Sequence, residues 1–444
     1  MLHHETLSGW GRYPMRECAV WQPVTAEALR AALPQLGSSI ARGNGRSYGD
    51  ASLNPDATID LRRLDRLIAF DDATGELICE AGVLLSDIIT AFVPRGWFVP
   101  VTPGTRMVTI GGMIASDVHG KNHHGAGSFC DHLQWCDLDL GNGRVLRCSA
   151  DENADLFAAT CGGMGLTGTI VRACFRMVRV ETAWMRQRKV RAHNLSEAMA
   201  VFEQSMDWTY AVAWIDCLAR GRDLGRSAIL LAEHAQLNEL DAPRRVAPLA
   251  RPPRKSRAVP IDLPGFALSS FNVQVFNRLY HAMQRPGEAL VALDPYFYPL
   301  DALADWNRIY GRRGFVQYQC VLPLTESARG LERLLEAIAS AGSGSFLAVL
   351  KCMGPASFGM LSFPMPGYTL ALDFPATSAN LALLDRLDVI TADHGGRIYL
   401  TKDARLPSHM LALGYQRLQE FRDLRARYGL DRRFSSLLSQ RLGL

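Results

Sequence analysis

The sequence predicts an α+β protein with two domains, and three observations support that prediction. With 444 residues, the chain is longer than one ordinary domain. Residues 40–54 and 101–132 form two glycine-rich loops, and short runs of β-forming residues lie between them. Beyond about residue 180 the pattern changes to longer strands and helices, which indicates a second domain.

The spacing of apolar residues locates the individual elements. Helices are predicted at residues 26–36, 84–93 and 149–160. Strands are predicted at residues 57–60, 67–70, 77–81, 315–322, 346–351, 368–374 and 397–400, and a glycine hairpin followed by a β-branched strand at 161–178. Residues 190–201 and 210–218 indicate the start of the second α+β domain. Residues 407–444 are predicted to be helical and basic and to return to the first domain.

Composition narrows the class of protein. Hydrophobic residues make up 48% of the chain and charged residues 21%, which is typical of a globular protein. The net charge of +4 is far from a nucleic-acid-binding profile. We therefore expect no nucleic-acid partner.

Cysteine spacing and hydropathy indicate the compartment. The ten cysteines are scattered without CxxC pairs, as is typical of reduced thiols in the cytosol. The N-terminal segment lacks the apolar region of a signal peptide, and no window approaches about 18 uninterrupted apolar residues. We expect a cytoplasmic protein with no signal peptide or transmembrane helix, either in solution or in peripheral contact with the inner membrane.

The glycines of residues 101–132 predict a backbone cradle for phosphate groups. Glycine lets a ligand approach the main chain, and successive N–H groups form concavities that hold phosphate oxygens. Donors and titratable groups lie among these glycines, namely His119, Lys121, Asn122, His123 and His124. We interpret the loop as a cradle for a cofactor diphosphate, with catalytic groups at its far end.

The same loop also permits two simpler interpretations. Glycines at this density occur in loop-rich β structure, and imidazoles are common metal ligands. However, no carboxylate or cysteine set stands at a familiar ligand spacing from the histidines. We therefore predict no metal centre.

Residues 40–54 form a second cradle of the same kind. Three glycines separated by polar residues follow a short apolar run, and Tyr48 is placed to stack on a flat ring. The GxG spacing does not continue into GxxG, a helix and a later acidic residue, which disfavours a dinucleotide-binding Rossmann fold. Gly165, Thr167 and Ile170 offer a third backbone approach to the same ligand. Two glycine loops in one domain are more specific than either loop alone.

Two features of the second domain bear on substrate binding. Residues 243–260 are rich in Pro and Arg and predict a mobile surface loop, which is either a solvated linker or a basic lid near an anionic head group. An apolar, aromatic-bearing stretch follows at residues 261–276. Gln317 and Gln319 alternate onto one face of a strand, which suits either hydroxyl recognition or a solvated face.

Three motifs together carry a resemblance to a known family. The segments ARGNGRSYGD, TPGTRMVTIGGMIASDVHGKNHHGAGSF and YLTKD resemble those of the decaprenylphosphoryl-β-D-ribose 2'-oxidases, flavoenzymes of the vanillyl-alcohol-oxidase (PCMH-type) superfamily. The resemblance runs nearly end to end and includes WNRIYGRRGFVQYQ and LDRRFSSLLSQRLGL. It implies a bipartite FAD-binding domain at residues 1–181, completed by 397–444, with an inserted substrate domain at 182–396.

The resemblance also implies roles for individual residues. The FAD shell would comprise Ala41, Arg42, Gly43, Asn44, Gly45, Arg46, Ser47, Tyr48, Gly49, Asp50, Ala51, Gly104, Thr109, Ile110, Gly111, Gly112, Ser116, Asp117, Val118, His119, Ile170 and Tyr399. The substrate wall would comprise Tyr48, Lys121, Trp214, Gln317, Gln319, Lys351 and Lys402. The loop at residues 40–54 contains no histidine for a flavin bond, so the FAD is expected to be non-covalent.

The implied reaction is oxidation of the 2'-hydroxyl of a polyprenylphosphoryl-β-D-ribose to the keto sugar. Lys402 would stabilise charge on the flavin, and either His119 or Lys402 would take the hydroxyl proton. An NADH-dependent keto-sugar reductase is the implied partner. Three alternatives remain open: an oxidase of a soluble alditol or aldonolactone, a flavin-binding module without turnover, and a metal-dependent hydrolase built on HGKNHH.

Overall fold

The computed structural model describes residues 2–252, 257–264 and 269–444. The strands are β1 (His3–Ser8), β2 (Met15–Trp21), β3 (Ile40–Arg42), β4 (Thr58–Asp60), β5 (Leu67–Asp71), β6 (Glu76–Glu80), β7 (Trp97–Phe98), β8 (Leu133–Asp139), β9 (Val145–Ser149), β10 (Thr169–Arg176), β11 (Val178–Arg179), β12 (Trp184–Ala192), β13 (Tyr210–Ile215), β14 (Ser227–His234), β15 (Arg257–Ala258), β16 (Gly287–Ala292), β17 (Leu303–Ala304), β18 (Phe315–Pro323), β19 (Ala348–Met353), β20 (Gly367–Pro375) and β21 (Arg397–Ile398).

The α-helices are α1 (Ala26–Ala32), α2 (Leu85–Phe92), α3 (Ile110–Ala115), α4 (His123–Ala126), α5 (Ala154–Thr160), α6 (Leu195–Glu203), α7 (Ala242–Arg245), α8 (Ser270–Met283), α9 (Leu293–Phe297), α10 (Leu324–Ala341), α11 (Ser378–Asp393), α12 (Ser408–Gly414), α13 (Leu418–Arg427) and α14 (Leu437–Leu442). Among the helices described, none has the length and apolar content needed to cross a membrane.

The strands that precede residue 180 form two main sheets. One sheet has the order β1-β2-β4-β3, with parallel pairing of β4 to both β2 and β3. The other has the order β5-β6-β10-β8-β9 and is antiparallel throughout. The two glycine-rich loops follow β3 and β7.

Eight of the later strands form one antiparallel sheet with the order β16-β12-β14-β13-β19-β20-β18-β21, and β15 pairs separately with β17. Helix α10 packs against β18 and β20 because its apolar residues recur at helical spacing and are fully buried: Leu331, Leu334, Leu335 and Ile338. Burial of each such side chain contributes about 1.5–3 kcal/mol. The helix ends at Gly342, whose φ of 65° is in the left-handed region that glycine tolerates.

Most predicted elements are confirmed, and three differ. The helix predicted at 149–160 begins only at Ala154, because Ser149 Oγ accepts the N–H groups of Asp151 and Glu152 and holds a turn there. The glycines of 161–168 form turns that lead from α5 into β10 and do not form a hairpin. The strand predicted at 397–400 shrinks to β21 and joins the eight-stranded sheet beside β18.

The C-terminal segment packs against the first part of the chain. It forms three helices, and Phe434 bridges to Ser39 just before β3. The buried guanidinium of Arg425 donates to the carbonyls of Leu166 and Phe434. The segment therefore contacts residues that precede residue 180, and its assignment to the first domain stays a prediction.

The Pro- and Arg-rich segment is described on both sides of residues 253–256. Arg251 forms an ion pair with Asp294 at 2.8 Å, and β15 pairs in parallel with β17. The predicted mobile loop includes residues 253–256 and the apolar stretch includes 265–268, all of which lie outside the described residues. Mobility of the loop stays a prediction.

An ion cluster joins three distant segments at the base of the glycine loops. Arg441 of α14 contacts both oxygens of Asp50, at 2.9 and 3.2 Å, and lies 2.9 Å from Asp403. Both carboxylates are 4% exposed. Asp50 ends the GRSYGD motif and Asp403 ends the TKD motif, so one arginine fixes both motifs relative to each other.

We predict that Arg441→Met destabilises the protein by about 3–5 kcal/mol, because two buried carboxylates lose their shared cation. The free energy of unfolding from urea denaturation measures this loss. Arg432→Met, at an exposed arginine of the same segment, is the control and should change stability by less than about 0.5 kcal/mol. Equal effects of the two substitutions would contradict the assigned role.

Candidate active site

A cavity of about 990 Å³ lies between the glycine loops and one face of the eight-stranded sheet. Ligand pockets usually enclose about 300–1,000 Å³, so this cavity is large enough for more than a small substrate. One wall is main chain from residues 43–48, 102–121 and 164–170. The opposite wall is made of side chains from the sheet.

The pairing register sets which side chains form that opposite wall. In antiparallel sheets, residues directly opposite each other point to the same face. Lys351 is opposite Thr369, while Gln319 is opposite Ala371. The same face therefore carries Trp214, Gln317, Gln319, Val349, Lys351, Thr369, Ala371 and Asp373. The predicted alternation of Gln317 and Gln319 onto one face is confirmed.

The two glycine loops touch each other. A Cβ atom on Gly43 would overlap Thr109 Oγ1. Asn44 Nδ2 also donates to the carbonyl of Met107 at 2.8 Å. Only glycine permits this approach, so the loops form one continuous stretch of exposed main chain.

Lysine is rare in this chain and concentrated in the cavity. The chain has five lysines and 43 arginines. Four of the five line the cavity, namely Lys121, Lys189, Lys351 and Lys402, and the fifth lies outside the described residues. Because the pKa of lysine shifts readily on burial whereas arginine stays charged, this placement favours titration in the cavity.

Burial lowers the pKa of these ammonium groups. It lowers the pKa of Lys121 to about 7. Burial, with the charges of Lys402 and Lys121, lowers the pKa of Lys351 to about 7. Burial also lowers the pKa of Lys402, but the nearby carboxylate of Asp373 opposes that shift. Lys402 Nζ lies 3.9 Å above the ring of Tyr48, a cation–π contact that also favours the charged form.

Asp373 was not predicted from the sequence. Its carboxylate is fully buried and accepts a hydrogen bond from Gln317 Nε2 at 2.5 Å and a longer one from the Tyr310 hydroxyl at 3.4 Å. Burial raises the pKa of this carboxyl, while Gln317 and Lys402 act to lower it. The strand alternation in TLALDF, which places it on the face of Thr369 and Ala371, was the available signal.

His119 is enclosed by protein groups. Its Nδ1 lies 3.1 Å from Lys351 Nζ and its Nε2 lies 2.9 Å from Gln319 Nε2. Burial and the charges of Lys351, His123 and Lys402 hold the pKa of this imidazole well below its usual range. The ring is therefore neutral at physiological pH.

The structure brings most of the predicted site residues to this one cavity. All seven predicted substrate residues line it: Tyr48, Lys121, Trp214, Gln317, Gln319, Lys351 and Lys402. The predicted cofactor residues on its walls are Ala41, Gly43, Asn44, Gly45, Arg46, Ser47, Tyr48, Ala51, Gly104, Thr109, Gly111, Gly112, Ser116, Val118, His119, Ile170 and Tyr399.

Five predicted cofactor residues lie behind the wall and hold it in shape. Arg42 donates to the carbonyl of Ser8, and Asp50 belongs to the ion cluster of Arg441. The other three are Gly49, which is packed against Asp403, Ile110, which is fully buried, and Asp117, which accepts from Cys130 and Ser362. In the third predicted backbone approach, Gly165 and Ile170 line the cavity, whereas the Thr167 hydroxyl is hydrogen-bonded to that of Thr160.

The histidines of HGKNHH do not converge on a point. His123 Nδ1 accepts the N–H of Gly354, and His124 Nε2 lies 2.8 Å from the carbonyl of Trp208. Across residues 2–252, 257–264 and 269–444, no group of three or more His, Cys, Asp or Glu side chains is placed to hold a metal ion. The prediction of a site without a metal stays a prediction.

Comparison with known proteins places this geometry in a family. A family model described as an FAD binding domain matches residues 19–149. The decaprenylphosphoryl-beta-D-ribose oxidase of Mycolicibacterium smegmatis is 35% identical over 99% of this chain and 97% of its own length. The chain belongs to the decaprenylphosphoryl-β-D-ribose oxidase family.

Other relatives mark the breadth of the likeness. An uncharacterized protein of Streptomyces coelicolor, named for the mprA 5' region, is 36% identical over 82% of this chain and its own full length. The L-gulonolactone oxidase of Bos taurus is 27% identical over only 36% of this chain and 37% of its own length. The end-to-end match is thus to the ribose oxidase family, and the chain is an FAD-dependent oxidoreductase.

The residues of the cavity fit FAD. The touching loops provide main-chain donors, which suit a diphosphate, and the contact of Gly43 with Thr109 leaves no room for a side chain between the loops. Arg46 Nε is buried in the same wall and has no hydrogen-bond partner among the described residues. Its guanidinium lies 3.9 Å from the ring of Trp10, which holds it at the cavity.

We predict that Gly43→Ala weakens flavin binding at least about tenfold, which is about 1.4 kcal/mol. The added Cβ would displace the Thr109 side chain, which accepts a hydrogen bond from the N–H of Gly112 and shapes the loop at residues 101–132. Flavin titration of the apoprotein, followed by fluorescence quenching, measures the dissociation constant.

Gly37→Ala is the matched control, because a Cβ atom there would meet nothing within 4 Å. It should bind flavin like the unchanged protein. If Gly43→Ala also does so, the two loops do not form the cradle.

Proposed function

We propose that this protein oxidises the 2'-hydroxyl of a polyprenylphosphoryl-β-D-ribose to the 2'-keto sugar, with FAD bound non-covalently in the cavity. The observation that carries the proposal is the match to the mycobacterial oxidase along 99% of the chain. The row of amide and amine groups on the sheet face supports it, because hydroxyl-rich substrates need donors and acceptors at close spacing. Bound FAD supplies the acceptor for the hydride that leaves the substrate carbon.

The residues of the cavity divide this work between them. Lys402, kept charged by Asp373 and the ring of Tyr48, stabilises negative charge that develops next to it. Gln317 donates a hydrogen bond to Asp373, which orients its side-chain amide before substrate arrives. Tyr399 and His119 are almost completely buried, which excludes water from the end of the cavity that they line.

The domain division stays part of the proposal. We assign residues 1–181 and 397–444 to the FAD-binding domain and 182–396 to the substrate domain. Support comes from the sheets, because strands up to β11 and strands from β12 onward do not share one. The pairing of β21 with β18 places the first residues of the C-terminal segment at the edge of the substrate sheet.

The chemistry of the product implies a partner enzyme. A 2'-keto sugar linked to a lipid phosphate becomes the arabino epimer only when a hydride is delivered to the opposite face. We propose that a separate NADH-dependent keto-sugar reductase consumes the product. The exposed surface around the cavity mouth is where such a transfer would take place.

A second candidate is an oxidase of a soluble alditol or aldonolactone. The partial likeness to L-gulonolactone oxidase of Bos taurus favours it, although that likeness covers only 36% of this chain. Apolar and aromatic side chains at the cavity edge favour the lipid-linked substrate instead: Phe276, Tyr280, Leu300, Leu303 and Phe346.

We predict that anaerobic polyprenylphosphoryl ribose bleaches the flavin absorbance of the purified protein and that free ribose does not. In Lys402→Met the same bleaching should be slower by about 10²-fold or more, because charge developing beside it loses its cation. Stopped-flow absorbance measures both rates, and acid precipitation should release the flavin into solution. Bleaching by a soluble polyol or lactone, but not by the lipid sugar, would establish the second candidate.

We further propose that helix α8 rests on the membrane that carries this substrate. Five large apolar residues on one side of this helix are exposed: Phe271, Val275, Phe276, Leu279 and Met283. They span an arc of about 140° at 100° per residue. Arg278 flanks this arc and Arg285 follows the helix, and both are exposed, as suits anionic head groups. Because Phe276 also lines the cavity edge, a lipid tail would pass from the bilayer to the site without crossing water.

We predict that Phe271→Glu with Leu279→Glu abolishes sedimentation of the protein with phosphatidylcholine–phosphatidylglycerol vesicles. The double substitution places two charges on the face that would enter the bilayer. Leu413→Glu, at a residue of α12 that is 66% exposed, is the control and should leave sedimentation unchanged. A concentration-dependent dimer that the double substitution dissociates would show instead that a second copy covers this face.

A further inference from the structure

The hydrogen bonds of His119 bear on which group takes the proton of the substrate hydroxyl. Both ring nitrogens of His119 are engaged by protein groups, Lys351 on one side and Gln319 on the other. The side chain is 7% exposed. His119 therefore has no ring nitrogen left for a substrate hydroxyl.

A neutral imidazole carries one N–H donor and one acceptor, so the two contacts of His119 must be of opposite kinds. Thr369 decides which is which. Its hydroxyl donates to the carbonyl of Cys320 at 2.8 Å, so its oxygen accepts from Gln319 Nε2 at 3.2 Å. The amide group of Gln319 is thereby oriented, and its second N–H donates to His119 Nε2.

This orientation leaves the proton of His119 on Nδ1, where it faces Lys351 Nζ at 3.1 Å. An ammonium group has only donors, whereas an amine has a lone pair that accepts this proton. The chain of contacts from Thr369 through Gln319 and His119 thus favours an uncharged Lys351. If the amide of Gln319 were turned around, the ammonium form of Lys351 would be favoured. The Gln319 oxygen would then face the Thr369 hydroxyl, which could donate to it only by losing its hydrogen bond to the carbonyl of Cys320.

Lys402 is held in the opposite state. Its charged neighbour is the carboxylate of Asp373, and its ammonium lies over the Tyr48 ring. Among the residues that the structure describes, the titratable groups that influence Lys351 are His119, His123, Lys121 and Lys402, and none of these is a carboxylate. Two lysines in one cavity therefore have environments that push their protonation states apart, as in sites that pair an acid with a base.

We propose that Lys351 is the catalytic base, and that Thr369 and Gln319 are positioning residues that keep it uncharged through His119. The inference rests on the proposed oxidation. As the substrate O–H bond breaks, its proton passes to Lys351 Nζ, which becomes an ammonium group. The electron pair of the adjacent C–H bond leaves as hydride to the cofactor, and the carbonyl forms. The Cε–Nζ bond is a rotor, so the lone pair can turn from His119 to the incoming hydroxyl.

The pH dependence has a definite sign. Burial and the charges of Lys402 and Lys121 lower the pKa of Lys351 to about 7. The base form exists above that pKa, so flavin reduction should accelerate as the pH rises through it. A base with a pKa near the working pH is also the most effective.

The first test is independent of turnover and uses the flavin-loaded protein. With only five lysines in the chain, ¹⁵N-lysine NMR gives few signals, and Lys351→Met assigns the one of interest. We expect Lys351 to titrate below Lys402 and ¹⁵N-histidine spectra to show His119 protonated on Nδ1. A His119 protonated on Nε2, or a Lys351 that titrates above Lys402, would overturn the inference even if the proposed function holds.

The second test is the pH profile of anaerobic flavin reduction by the lipid-linked ribose. Lys351→Met should slow reduction by about 10²–10⁴-fold with flavin content unchanged. Thr369→Val should raise the apparent pKa of the profile by about one unit or more, so that the fraction of uncharged Lys351 at a pH below that pKa falls about tenfold. Thr369→Ser should return the apparent pKa to that of the unchanged protein. A merely structural Thr369 would lower stability without moving the profile.

The outcomes separate the two proposals. If no lipid-linked ribose bleaches the flavin of the unchanged protein, the proposed function fails, while the NMR result still reports on Lys351. If bleaching occurs and Lys351→Met keeps both its rate and its pH profile, Lys351 is not the base and the inference fails alone.

Discussion

The register of three neighbouring strands is the constraint on which the site depends. β19, β20 and β18 pair so that every polar side chain of the cavity floor points the same way. Because side chains alternate with a period of two, a slip of one residue would turn this row into the core and bring apolar residues to the cavity. The fully buried Leu350, Leu370 and Leu372 point to the other face and resist such a slip, and α10 packs against β18 and β20. Packing on one side of the sheet thus fixes chemistry on the other.

Much of the architecture could be predicted from local sequence. Helix α2 and strand β18 were predicted within one or two residues, because their apolar periodicity is regular and tertiary contacts agree with it. The loops at residues 40–54 and 101–132 were predicted to approach one ligand, and both line the same cavity. Their glycines were a direct signal, because glycine occurs where the main chain must come close to another group. The start of α5 was missed because Ser149 bonds to the backbone ahead of it, a competition that periodicity does not reveal.

The parts of the site that escaped prediction are those set by register. Asp373 and Thr369 lie in an alternating strand, where a polar residue is equally compatible with a solvated face. Only their partners across the sheet, Gln317 and Lys351, show that they lie on the cavity side of the sheet. In the same way, Gly49, Asp50 and Asp117 belong to the family motifs yet support the wall from behind. Some residues of a motif line the cavity, and others hold the main chain of that motif in position.

The ion cluster at Arg441 has a consequence for how the protein matures. The arginine and Asp50 are 391 residues apart in the chain, so their contact closes almost the whole sequence into one loop. Contacts of such separation form late, because the entropy of bringing the ends together must be met before the contact stabilises anything. The loop at residues 40–54 is therefore made early in synthesis but can reach this contact only after α14 has been made. The cradle for the flavin is complete only once almost the whole chain has been synthesised.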